Sequence, residues 1–514
     1  MHSSEEHFTP SADKWLIAIT VMFGAFMAVM DISVVNVALP HMMGTFGSDL
    51  SSITWVATSY SIAEIILVSL AGWLTMLMGR KRLYLISFAL FTIGSVLCGT
   101  ATTFNQILIY RAIQGVGGGA LIPVSQAILR ETFPPKEQGM AMAIFGMGVV
   151  LAPAAGPIIG GWLTDHYGWP WIFFINVPVS LVGMLLIGIF VHDPSYLKRG
   201  VKSVDWLGLA LLTLSLTSMQ LVLERGQEEN WFDSNLILLG SVICIVATVW
   251  FIFWELSSGE PIVDFRLLKN RQLSVGSTMG FIFGIGLFGS TFILPQFTQQ
   301  LLGYPALEAG LVLLPRALTL LLCMPIVGWL YKQTDARWTI LFGIGAIVWS
   351  YYDLARLSLA ADFWSIVPML ALMGVGMAFM FVTVTTVALS TTSRRDMTSA
   401  SALYTLSRRV GGNIGYAIVA TLIARGQQFH RSTMVSHISG LNPNYVNFSE
   451  HAKKVLGEAG LPTAAIPKAQ QLLTEKLIMK QSTMLAYNDV SFVLGLLFFL
   501  MVPLLFFLPR QAKS

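Results

Sequence analysis

Fourteen stretches of this chain are each long and apolar enough to cross a lipid bilayer, and no other feature limits the fold so tightly. A spanning helix needs about 20 mostly apolar residues. The runs are 15–38, 53–76, 83–103, 106–129, 139–163, 170–191, 205–223, 236–256, 273–297, 308–331, 338–360, 363–389, 401–424 and 485–508. In hydrocarbon, every backbone N–H and C=O must be satisfied within the segment, so the expected fold is an all-α polytopic membrane protein. Composition agrees: 55% of residues are hydrophobic and 11% are charged, against about 25% charged in a soluble chain. The net charge of +4 does not point to nucleic acid, because the basic residues are spread over short loops and form no patch. Residues 1–14 are polar and include Glu5, Glu6 and Asp13. The run that follows has no small-residue cleavage site, so no signal peptide is expected.

Those loops set an orientation. With the N-terminus inside, the segments on the cytoplasmic side hold eighteen Lys and Arg, among them Arg80-Lys81-Arg82 and Arg266, Lys269 and Arg271; the short outer loops and adjoining run ends hold Arg225 and Arg356. Positive charge stays inside, so both termini are expected in the cytoplasm. Gly72-Trp73-Leu74 ends the second run and Gly328-Trp329-Leu330 the tenth, each before a basic loop. That weak repeat suggests two six-helix halves, a known transporter plan. The expected division is a tail (1–14), a first half (15–191), an inserted pair (205–256), a second half (273–508) and a second tail (509–514). The outer loop 425–484 belongs to the second half. It should hold two short helical stretches, one capped by Ser449 and ended by Gly460, the other opened by Pro467.

No Gly-Lys dipeptide occurs, so there is no P-loop, and a pump built this way must draw on an ion gradient. The eight histidines lie in the tail, in loops or just past a run, which leaves carboxylates as proton carriers. Cys98, Cys244 and Cys323 each lie alone in a different run, so neither a disulfide nor a metal site is expected, and no cofactor. Ionisable groups inside a bilayer are costly and usually functional. The immersed ones are Asp31, Glu64, Arg111, Arg316 and Asp353, with Arg408 and Arg409 near the inner end of the thirteenth run. Asp31 and Arg111 both lie roughly 8–10 Å below the outer boundary. At equal depth they either exchange a proton or form a static pair. Burial raises an Asp pKa and a nearby Arg lowers it, so moving the Arg would switch the Asp between holding and releasing a proton. Glu64 is expected to be protonated, paired or facing water, with a role in proton or substrate binding as one reading. Asp353 and Arg356, one turn apart, are expected to pair with each other.

The fifth run carries Gly148, Ala152, Gly156 and Gly160 at intervals of four, a stripe that lets another helix approach closely. Pro153 and Pro157 interrupt its backbone bonding and should bend it, which suits a moving interface. Arg316 follows Pro315 and either lines a cavity or snorkels. Met377, with other methionines of the twelfth run, and Phe292, with the phenylalanines of the ninth, suit varied apolar ligands, or they pack against lipid and core.

Several stretches together resemble the major facilitator superfamily, and within it the fourteen-helix drug:proton antiporters of the EmrB/QacA type. They are Met30-Asp31-Ile32-Ser33-Val34-Val35-Asn36-Val37-Ala38-Leu39-Pro40, Arg111-Ala112-Ile113-Gln114-Gly115-Val116-Gly117-Gly118-Gly119, the glycine stripe with Gly156-Pro157 and Gly160-Gly161, Trp171 to Pro178, and Arg408 with Gly411, Gly412 and Gly415. Such a resemblance implies a secondary transporter, not an enzyme, exporting hydrophobic or cationic compounds against protons. It implies proton transfer by the Arg111 motif and an antiporter role for the fifth run. The loop between runs two and three departs from the family pattern, with Met76 and Leu77 in place of Asp and Arg. The 425–484 loop resembles that of EmrB-type pumps, which implies a periplasmic adaptor (EmrA-like), an outer-membrane channel and a bacterial inner-membrane location. The alternative is a carrier for a defined solute such as a siderophore, sugar or peptide. A membrane enzyme or receptor would need a metal cluster, a nucleophile constellation or a soluble domain, and the sequence has none of these.

Overall fold

The computed structural model describes residues 14–193, 205–304, 306–438, 442–459 and 461–508. Among them there is no strand. The long helices, α14 apart, follow the apolar runs in order: α1 Lys14–Phe46, α2 Trp55–Met78, α3 Arg80–Gly99, α4 Phe104–Thr132, α5 Gln138–Tyr167, α6 Trp171–Phe190, α7 Trp206–Arg225, α8 Asn235–Ser257, α9 Arg271–Gln296, α10 Ala306–Leu330, α11 Ala336–Leu354, α12 Phe363–Ala388, α13 Met397–Ser436, α14 Pro443–Glu458 and α15 Ile466–Phe499. Among the described residues, eleven helices are long and apolar enough to cross a membrane, and twelve with bent α5 counted as one span. The basic segments holding Lys198, Arg199 and Lys202, and Arg510 and Lys513, lie outside the described residues, as do tail residues 1–13 and 509–514.

Helices α1–α6 pack together, and so do α9–α13 with α15; α7 and α8 form a hairpin leaning on α2 and α13. Glycine allows the closest approaches. In α4 the run Gly115 to Gly119 lies against α2 and α3, and a Cβ on Gly119 would stand 2.5 Å from the Glu64 carbonyl oxygen. Between the two groups of helices, α2 and the Leu121–Thr132 part of α4 meet α13, while α5 meets α10 and α12. These contacts gather toward the end that carries Arg80, Arg337 and Arg394, the basic end. There a Cβ on Gly328 would stand 2.9 Å from the Gly139 carbonyl oxygen. Arg80 is fully buried, donates to Thr398 Oγ1 (2.8 Å) and to the Arg394 carbonyl (2.9 Å), and pairs with Glu131. The loop that lacks the family's Asp and Arg therefore still ties the two groups together through Arg80.

The 425–484 segment differs from expectation. It is not a loop carrying two isolated helices. Helix α13 runs on to Ser436, and α15 starts at Ile466 and continues without a break into the last apolar run. The extensions form an antiparallel hairpin with α14 packed on α15. Polar pairs hold it: Arg431 with Glu475 (2.8 Å), His430 with Asp489 (2.7 Å), and Gln427 donating to Thr483 (2.6 Å). A helix this polar is marginal alone, and cross-hairpin pairing is what sustains it. Pro467 sits in the first turn of α15, as the sequence suggests. Ser449 caps nothing: it lies inside α14 and accepts from Gln470 (2.5 Å). Gly460 lies outside the described residues.

Candidate functional site

Asp31 on α1 and Arg111 on α4 meet at 2.5 Å, both fully buried. The equal depth read from the runs therefore brings them into contact. Neither is held by the other alone. Asp31 Oδ1 accepts from Gln114 Nε2 (2.8 Å) and Asn176 Nδ2 (3.0 Å), and both amides also donate to Ser95 Oγ (3.0 Å each). Arg111 donates through Nε to the Val56 carbonyl (3.0 Å) and through Nη1 to Gln114 Oε1 (2.7 Å), and its guanidinium lies 4.4 Å from the Tyr60 ring centroid. A buried carboxylate without this set of donors would be far too costly to ionise. Gln114 and Asn176 escape notice in the sequence because amides carry no charge, although both lie within the motif stretches that frame Arg111 and Trp171.

Glu64 on α2 is buried and pairs with Arg409 on α13. Of the three states open to it from sequence, pairing is the one observed, and the pair joins the two groups of helices. Arg409 also lies over the Phe288 ring (5.6 Å). Tyr60 lies between the two ion pairs, close enough to feel the charges of Asp31, Arg111, Glu64 and Arg409. Arg408, next to Arg409 in the chain, faces the other way, over Phe381 (5.2 Å) and Tyr404 (5.8 Å), and its Nη1 has no hydrogen-bond partner among the described residues.

The stripe of α5 packs on α1. A Cβ on Gly156 would stand 2.5 Å from Ser33 Cβ, one on Gly160 would stand 3.0 Å from Val34 Cγ1, and Gly148 lies on Met22. Asp31 is two residues from Ser33. Pro157 has no N–H to give the Pro153 carbonyl four residues back, and Ser33 Oγ donates to that carbonyl instead (3.2 Å). The helix bends by 41° between Gln138–Pro153 and Ile158–Tyr167. The Pro157 side chain lies outside the described residues. Nearer the basic end, Gly146 of α5 lies against Met324 and Phe381 of the other group. One helix thus touches the Asp31 helix at one end and the opposite group at the other.

The remaining sequence candidates are not brought together. Met377 is completely buried in α12. Phe292 packs its ring on Tyr416 at 5.7 Å. Arg316 on α10 is half-buried, within electrostatic reach of Tyr351. Asp353 and Arg356 do not pair; the Arg356 guanidinium lies over the Tyr352 ring at 4.0 Å. Glu224, just past the expected end of the seventh run, is the ionisable group that sequence reading passes over. It is exposed, one turn past Gln220, whose Oε1 accepts from Asn413 of α13.

A helical bundle with buried ion pairs at membrane depth, a bent glycine-lined seam and no nucleotide loop is the architecture of a secondary transporter. Residues 21–416 match the model of the Major Facilitator Superfamily, and the chain belongs to that family. It is 33% identical over 502 residues to the multidrug export protein EmrB of Haemophilus influenzae, covering 97% of each chain. It is 34% identical over 430 residues to EmrB of Escherichia coli K12, covering 84% of each. The structure of the proton:xylose symporter XylE superposes with a TM-score of 0.62 over 98% of each chain at 13% identity, a likeness of fold.

Proposed function

We propose that this chain is a proton-driven exporter of hydrophobic or cationic toxic compounds in a bacterial inner membrane, with fourteen spanning helices and both termini cytoplasmic. Similarity to two multidrug export proteins over most of the chain supports the direction and breadth of transport. The observation that carries the mechanism is the Asp31–Arg111 pair with its amide clamp, beside the bent seam of α5. A proton entering down 100 mV yields about 2.3 kcal/mol, and a titrating group inside the membrane must collect it. Asp31 does so when α1 shifts against α4 and Arg111 withdraws. Glu64 adds a second carboxylate whose ion pair joins the two groups of helices near mid-span. With the basic, cytoplasmic end closed at Arg80, Gly72 and Gly328, the state described faces outward.

The hairpin of α13 and α15 projects about 18 Å past the apolar run and exposes Phe429, Leu472, Leu477 and Met479. Apolar side chains gathered on a water-facing element mark a docking surface. The occupant we favour is a periplasmic adaptor, EmrA-like, leading to an outer-membrane channel. The test of the central reading is everted vesicles energised by respiration. Adding a hydrophobic dye to wild type should release protons from the vesicle interior, and Asp31→Asn should not. Dye accumulation that survives an uncoupler would defeat proton coupling.

A further inference from the structure

We infer that Arg408 on α13, with Gln126 on α4, forms a binding subsite for the carboxylate of a lipophilic organic acid, loaded from the cytoplasm when the two groups of helices part at the basic end. The inference rests on the export reading and adds an anionic class to its substrates.

Arg80, Arg111 and Arg409 are each met by a carboxylate. Arg408 is not. Its side chain is buried, its Nη1 has no hydrogen-bond partner, and no acidic group pairs with it among the described residues. Asp31 and Glu64, the deep carboxylates of the bundle, are already engaged by Arg111 and Arg409. A buried cation without a counter-charge is costly, and a bound anion removes that cost.

A second unused donor meets the same face of α13. Ser401, Thr405 and Arg408 recur at intervals of four and three, so they line one stripe. Gln126 reaches this stripe from the opposite group: its Oε1 accepts from Ser401 (2.6 Å) and Thr405 (3.3 Å). Its Nε2 is buried and has no partner among the described residues. Gln126 thus touches Thr405, one turn from Arg408 along α13, and each group of helices brings one unused N–H donor to the seam.

The surroundings are apolar. The Arg408 guanidinium lies over Phe381 and Tyr404. Phe381 continues into Phe283 (6.3 Å) and, across the seam, lies against Gly146 of α5, where Met324 also packs. Donors beside rings and a thioether suit an acid with an apolar body. A bare halide would lose its hydration there and bury no apolar area of its own. A cation would be repelled by Arg408.

Thr398 accepts from Arg80 at the closed basic end, and Arg408 lies about 15 Å further along α13. With that end closed the subsite is sealed, by Gln126 on one side and Gly146 on the other. Parting the groups there withdraws both and opens Arg408 toward the cytoplasm. An acid that brings the missing counter-charge makes the sealed arrangement less costly, so this cargo favours closure of the basic end.

The test uses the full chain in detergent and in everted vesicles. The probe is naphthoate, followed by its fluorescence, with uncharged naphthamide as the shape control and sodium chloride as the bare-ion control. Wild type should bind naphthoate without any gradient, and naphthamide about tenfold more weakly. Arg408→Gln should weaken naphthoate binding about tenfold and leave naphthamide binding unchanged, which also reports an intact fold. Arg408→Lys should restore part of the loss, and Gln126→Leu should weaken naphthoate about threefold. Equal naphthoate affinity in wild type and Arg408→Gln overturns the inference, as does no naphthoate binding by wild type. Equal loss of naphthoate and naphthamide in all three variants overturns it too, since charge would not be what is recognised. Arg408-dependent binding of chloride with none of naphthoate would make the occupant a bare ion and overturn the cargo class. Arg408-dependent naphthoate binding, with no gradient-driven accumulation of naphthoate or of a cationic dye by wild type, would leave the subsite standing and refute the export reading instead.

Discussion

The Asp31–Arg111 and Glu64–Arg409 pairs each place one carboxylate on one guanidinium inside the bundle, yet they are built for different tasks. Asp31 and Arg111 belong to the same six-helix group, are completely buried, and are clamped by Gln114, Asn176 and Ser95. When the two groups of helices rock apart, this pair travels as a unit. It breaks only if α1 moves against α4. Glu64 and Arg409 lie on opposite groups, and the Arg409 side chain keeps some exposure. Moving the two groups apart at mid-span must separate them. A pair within a group suits proton capture; a pair between groups suits a gate. Both are stabilised by low dielectric and both are penalised by desolvation, so burial alone does not tell them apart. Placement relative to the moving boundary does.

That contrast is breakable by experiment. The largest effect is expected from Asp31→Asn, which keeps shape and hydrogen bonds but cannot bind and release a proton. Uphill export should fall to the uncoupled background while the protein stays inserted, as measured by vesicle uptake. Full drug resistance in cells expressing this variant would remove Asp31 from the coupling path.

Next comes the seam. Gly156→Leu forces bulk onto Ser33, and overpacking of about 1–3 kcal/mol corresponds to a loss of roughly 5- to 150-fold in transport. Val149→Leu, off the stripe, should stay within about twofold. If both variants behaved alike in the same uptake assay, the stripe would have no special role.

Breaking the gate should cost less than breaking the capture site. Glu64→Gln and Arg409→Ala should each reduce transport by about 5- to 10-fold, on the order of 1–1.4 kcal/mol. Each should raise thiol labelling of a cysteine placed at Ser399, which is packed under Gly72 while the basic end is closed. The double variant should be no worse than either single one. A double loss equal to the product of the single losses would mean the two side chains act independently.

The smallest effect in vesicles should come from replacing 425–484 by a Gly/Ser linker, because the hairpin is held mainly by its own pairs. Vesicle transport should stay within about twofold, while resistance of whole cells with an outer membrane should fall. Undiminished whole-cell resistance would argue against a docked partner.

Much of this molecule was legible in one dimension. Apolar length fixes where a chain can cross a bilayer, so the positions of α1–α13 and α15 followed from the runs. Depth along a helix is linear in residue number, so Asp31 and Arg111 could be matched before any contact was known. The Gly and Pro spacing of α5 announced a close and bent interface because small side chains and missing N–H groups act locally. The hairpin was misjudged for the opposite reason. Its helices are polar and lack a spanning signature, and their stability comes from pairing across 44 to 59 residues, as in Arg431–Glu475 and His430–Asp489.

Tertiary structure alone decided the rest. Charge at a residue says that a partner is needed, but not which one: Glu64 had several candidate states, and only packing put it on Arg409, 345 residues away. The same holds for Arg80, a loop cation by sequence and a buried tie between the helix groups in three dimensions. Gln114, Asn176 and Ser95 became a clamp because α3, α4 and α6 cross α1 at Asp31. Spanning segments are selected by the solvent they face, a property of each stretch by itself. Sites are selected by which stretches face one another, and that is a property of the whole bundle.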